Sequence, residues 1–224
     1  MTRVISTSLM KLIVVLASVL FLAACSEPAP ESKFKLGEHY LDYSEMYDDA
    51  LKSQAGLESP DIIEFFSYGC HHCMEFAPKL QVWHGKNKDK KISYVPVVWN
   101  ETTELYARLY HLVNESGLSP EKIDHIHHEL FGIVHGFGRT STLEEQRVEL
   151  IAYLETQGIE PIASVNGLTK SDLDSSIATS LMLTKRFEVS GTPTLIISEK
   201  YKVNNRSLNS KDEMLMIVNE VLGL

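Results

Sequence analysis

The stretch "DIIEFFSYGCHHCMEFAP", Asp61 to Pro78, constrains this chain more than any other part of it. "DIIEFFS" is a short apolar run of the kind that forms a strand buried on both faces. Tyr68-Gly69 interrupts it. From Cys70 onward, "CHHCMEFAPKLQVW" has helical spacing, with Met74, Ala77, Leu80 and Val82 or Trp83 near one face. Pro78 interrupts the hydrogen-bond ladder of that helix and is expected to kink it. A strand that passes straight into a helix start is an α/β unit. It also places Cys70 and Cys73 where unpaired backbone N–H groups and the helix dipole favour negative charge. A thiolate is such a charge, so the acidity of Cys70 should rise. Cys73 lies one turn deeper, within disulfide reach and shielded by its own helix.

The cysteine count sharpens this reading. The chain of 224 residues has three cysteines, Cys25, Cys70 and Cys73. "MTRVISTSLMK" is basic, and Leu12 to Ala24 is an unbroken apolar run, too short to span a membrane and suited to an export signal. It ends in Leu22-Ala23-Ala24-Cys25, which resembles the bacterial lipoprotein lipobox. That resemblance implies cleavage after residue 24 and acylation of Cys25, tethering the domain without a spanning helix. "SEPAPESK" then reads as a solvated tether. Loss of Arg3 and Lys11 with the signal takes the net charge from −9 to −11. No basic footprint for nucleic acid is left. At 44% hydrophobic residues the remaining chain can bury a sizeable core.

With Cys25 accounted for, one close pair remains. A disulfide across two residues closes almost no loop, so stabilisation is a poor reason for it. Zinc is a poor reason as well. Adjacent ligands on one turn do not surround a tetrahedral ion, and His71 points away from the cysteines. Exchange chemistry fits better. The His72 imidazole is expected beside the Cys70 thiolate, as a hydrogen-bond donor or a positive charge. Glu64 interrupts "IIEFF", and alternation puts it on one face with Ile62 and Phe66. A carboxyl facing a core should have a raised pKa and could take the proton of Cys73 when a mixed disulfide resolves. "DHIHHE", Asp124 to Glu129, offers Asp124, His127 and His128 at helical spacing and reads as a solvated helix face. Trp83 and Trp99 read as packing residues.

Far along the chain, "GTPTLII" places Thr192-Pro193 before an apolar strand. Together with "EFFSYGCHHC" and Pro78 it makes the sequence, from about Lys35 to the C-terminus, resemble the thioredoxin superfamily and, within it, the DsbA-type thiol:disulfide oxidoreductases of the bacterial envelope. The resemblance implies that Cys70 is the exposed nucleophile and Cys73 the resolving thiol. It implies that Pro193 is cis and lies against the disulfide, and that Thr192 pairs through its backbone with an extended substrate segment. His71 lies beside that substrate site. Glu64 matches an acid beneath the active site. Two departures concern the strength of oxidation: His71 stands where the best-known motif has proline, and Thr192 where strong oxidants often have valine.

The expected fold is therefore α/β, a thioredoxin fold with an inserted helical subdomain. Residues 1–24 are the signal, 25–35 the tether, 36–100 and 187–224 the two parts of the thioredoxin fold, and 101–186 the insertion. Four helical patterns fill the insertion, with starts at Ser119-Pro120-Glu121 and Ser141-Thr142-Leu143-Glu144, and "SKDEMLMIVNEVLG" closes the chain as a core helix. The expected activity is insertion of disulfides into exported proteins by exchange through Cys70–Cys73, at the periplasm-facing side of the envelope. No cofactor is needed, because the disulfide carries the electrons. The resemblance implies reduced exported proteins as substrates and a DsbB-type quinone-linked membrane oxidase as partner. A reductase or isomerase of the same fold, a metal-binding envelope lipoprotein, and a redox-inert chaperone-like binding module are the alternatives.

Overall fold

Ile62–Phe66 is buried along its whole length, which requires neighbours on both edges and both faces. In the computed structural model, which describes residues 32–48, 51, 55–57, 59–138, 140–159 and 171–224, it has all four. The lipobox, Cys25 and most of the tether lie outside the described residues. We number the strands β1 (Tyr40–Asp42), β2 (Ile62–Phe66), β3 (Ile92–Pro96), β4 (Thr194–Ile197) and β5 (Tyr201–Val203). They form one sheet in the order β1-β5-β4-β2-β3. β3 runs parallel to β2, reached by the crossover helix α1 (His71–Lys86), while β4 runs antiparallel on its other side. β3 ends at Pro96. β4 and β5 form a hairpin whose turn has Ser198 and Glu199 at φ 51° and 58°, with Lys200 N–H donating to Ile197 C=O. Left-handed residues at both central positions match the twist of antiparallel strands.

Alternation along the strands divides the core. Ile62, Leu195 and Ile197 pack with Phe76, Leu80 and Trp83 of α1 and with Met214, Ile217 and Val218 of the closing helix α6 (Asp212–Leu222). Val82 is 61% exposed, so Trp83 alone turns inward at that end of α1. On the opposite face Ile63, Phe65 and Ile196 meet Leu183 and Phe187. The chain between β3 and β4 forms α2 (Glu101–Asn114), α3 (Pro120–Gly136), α4 (Leu143–Thr156) and α5 (Ser171–Arg186). The side chains of Asn100, Ser119 and Thr142 cap α2, α3 and α4 by accepting from backbone N–H groups, as start signals of their type should. Their apolar faces join Phe66, Tyr68 and Cys73, so these helices press on the end of β2 and the start of α1.

Candidate active site

Cys70 is the N-cap of α1, with extended backbone (φ −94°, ψ 110°). Its sulfur accepts the backbone N–H of Cys73 at 3.3 Å. Gly69 sits just before it for a steric reason. A Cβ there would meet the ring of Tyr106 at 3.0 Å, and that ring is held by a hydrogen bond from its hydroxyl to Gln146. Helices α2 and α4 thus fix the turn that presents the thiol. Across the site the Thr192–Pro193 peptide is cis, and the carbonyl oxygen of Thr192 lies 3.2 Å from Cys70 Sγ, close enough to accept from the thiol. Thr194 Oγ1 closes that loop on Gly191 C=O at 2.8 Å.

The two sulfurs are both free, and their surroundings differ. The Cys73 S–H donating to Cys70 is the main reason the Cys70 thiol falls to about 5, helped by the Thr192 side chain and the backbone N–H groups of Cys73 and His72 against partial burial. Cys73 is fully buried, and burial first, then the bond to Cys70, drives its thiol upward. The arrangement leaves one accessible thiolate and one buried thiol that holds its proton.

His71 and His72 are both exposed, and their rings lie against the same carboxylate, Glu75, at 3.3 and 3.5 Å. The sequence reading placed the His72 imidazole beside Cys70. In the structure what His72 gives the thiolate is its backbone N–H. Glu75, three and four residues on, was the available signal.

Glu64 stands at the centre of β2, between Leu195 and Tyr94 on the neighbouring strands. It is 2% exposed, and burial, with the nearby Cys70 charge second, pushes its carboxyl up to about 8. The same dry region raises Tyr94 and Tyr110, in each case first by burial and then by Glu64. His127 belongs here too, which corrects the reading of "DHIHHE" as a solvated face. Asp124 and His128 are exposed, but His127 stacks against Tyr68 and Tyr110, and its ring nitrogens meet the Tyr68 hydroxyl and the Asn114 amide. Burial lowers it to about 4. Trp83 packs in the core as expected, whereas Trp99 is 44% exposed and donates to Val189 C=O. Among the described residues no three His, Cys, Asp or Glu side chains converge as a metal site.

The sequence model of the family described as thioredoxin matches residues 57–219, and the chain belongs to that family. Among characterised relatives, the thiol:disulfide interchange protein DsbA of Azotobacter vinelandii is 22% identical over 92% of this chain and 91% of its own length. DsbA from Xylella fastidiosa shares the fold with a TM-score of 0.69 at 21% identity, over 86% of this chain and 97% of that one. Proteus mirabilis DsbA, solved as a complex with the non-covalently bound peptide PWATCDS, superposes with a TM-score of 0.62 at 17% identity, over 86% of this chain and all of that one. The helical insertion is common to these folds. Within the family the chain is a DsbA-type thiol:disulfide oxidoreductase, with Cys70 and Cys73 as its CxxC pair.

Proposed function

We propose that Cys70 is the sulfur that exchanges with substrate, that Cys73 is the internal leaving and resolving thiol, and that Glu64 moves the proton of Cys73. The single observation that carries this is the contrast between the partly exposed, acidified Cys70 and the wholly buried Cys73 one turn away. A substrate thiolate attacks Cys70 Sγ of the oxidised pair. The Cys70–Cys73 bond breaks, and Cys73 leaves and takes a proton, for which the protonated Glu64 is the buried source. A second substrate thiolate attacks the substrate sulfur of the mixed disulfide, and Cys70 leaves as thiolate. The substrate loses two electrons, and the enzyme ends as the dithiol. A low-pKa leaving group favours this direction. Thr192 and cis Pro193 flank the sulfur, and we assign them, with His71, to the binding of an extended substrate peptide. The substrates we infer are reduced exported proteins, with a DsbB-type quinone-linked membrane oxidase restoring the disulfide.

We infer further that the mature protein is lipid-anchored through Cys25 at the periplasmic side of the envelope. The support is the lipobox alone; no helix of the described residues is long and apolar enough to cross a membrane. A Cys25→Ser variant should leave the membrane fraction. The function itself is tested by equilibrating the protein with glutathione. A potential nearer DsbA's, about −120 mV, is expected, and one near thioredoxin's, about −270 mV, would overturn the oxidising direction.

A further inference from the structure

Behind the catalytic turn a cavity of about 330 Å³ opens between α1, α2, α3 and the β2–β3 edge. Neither Cys70 nor Cys73 lines it. Exposed Gln81, Asp124 and His128 stand at its mouth. Phe66, Tyr110 and Phe131 form aromatic walls, and Glu64 lies at the bottom. Pockets of roughly 300 Å³ and above, with apolar walls and a few convergent polar groups, are the size and character of small-molecule sites.

The bottom of the pocket defines what it would hold. Glu64 is 2% exposed, lines the cavity, and has no hydrogen-bond partner among the described residues. Buried polar groups are nearly always paired, so an unpaired one facing a cavity is an open position. His127 is not a second such position, because both its ring nitrogens are engaged. A neutral carboxyl offers one O–H donor and one C=O acceptor side by side. A carboxamide is its two-point complement, accepting with its carbonyl and donating with its N–H. A hydrocarbon would leave Glu64 unpaired, and an anion would have to be desolvated beside it.

We propose that this cavity is a binding site for a small, uncharged aromatic carbonyl compound, best matched by a primary carboxamide, paired with Glu64 and packed between Phe66, Tyr110 and Phe131. The site is separate from the peptide-binding edge at Thr192 and does not depend on the catalytic role given to Glu64. Benzamide is the probe, titrated into the purified protein with calorimetry and aromatic NMR shifts as readouts. Saturable binding is expected, with shifts at Phe66, Tyr110 and Phe131, and with benzoate and toluene each weaker by about tenfold or more. Glu64→Gln should keep benzamide within about threefold, since an amide still pairs. Glu64→Leu should lose about tenfold for benzamide while keeping toluene. Absence of saturable binding overturns the proposal. So do equal affinities for the three probes, shifts confined to the Thr192 edge, or a Glu64→Leu protein that binds benzamide unchanged. Should Glu64→Leu not fold, the ranking of the three probes on the wild type, with the location of the shifts, decides alone.

Discussion

The mouth and the floor of this site lie within one helical turn of each other and favour opposite charge states. At the mouth, Cys70 meets S–H and N–H donors from Cys73, the Thr192 side chain and the His72 backbone, and it ionises easily. At the floor, Cys73 and Glu64 meet mostly carbon, and both hold their protons. Hydrogen bonds from a helix start act over about one turn, whereas desolvation acts wherever water is excluded. The comparison teaches that a CxxC motif is asymmetric because its first residue is a cap and its second is core.

Removing the mouth has the largest expected effect. Cys70→Ser should lower the rate of disulfide formation in a reduced peptide by at least about a thousandfold, since no second accessible thiol remains. Cys73→Ser should instead accumulate a mixed disulfide at Cys70, visible by mass spectrometry. Next, alkylation of the dithiol form resolved by peptide mapping should give a Cys70 midpoint near pH 5 with Cys73 unlabelled at pH 6. Equal labelling of both would erase the asymmetry.

The floor is tested through pH. Because the folded carboxyl of Glu64 titrates near 8 rather than at its ordinary 4.5, the unfolded chain releases a proton between those values that the folded chain keeps. Its contribution is therefore full below about pH 4.5 and is lost as pH rises towards 8. In the disulfide form, where Cys70 does not titrate, Glu64→Leu should be more stable at pH 7 by on the order of 2–3 kcal/mol, with a flatter pH profile in urea unfolding. In the dithiol form the Cys70 contribution has the opposite sign and grows from about pH 5 to 9. The smallest effect belongs to His72→Ala. The alanine keeps the N–H that reaches Cys70, so the alkylation midpoint should move by less than about half a unit. A larger move would restore a role to the imidazole.

Much of this was legible because local signals and packing agree. "IIEFF" is a strand that only a buried centre explains, and Ser119-Pro120 and Thr142 do cap helices. Strands β1 and β5 were not legible. Three residues are too few to show alternation, and the β4–β5 turn uses Ser198-Glu199 rather than a glycine-bearing pair. His127 was misread because its sequence neighbours are polar. What buries it is Tyr68 and Tyr110, distant in sequence. Tyr106 and Gly69 meet for the same non-local reason.

The bond between Cys70 and the Thr192 carbonyl joins residues 122 positions apart. Everything between them, five helices and the strand β3, must be in place before the sulfur has that neighbour. Contacts of such long range form late. Cys70 therefore takes its acidity mainly from one local turn of α1, and its neighbour across the site only from the finished fold, so the two properties arrive separately as the chain folds.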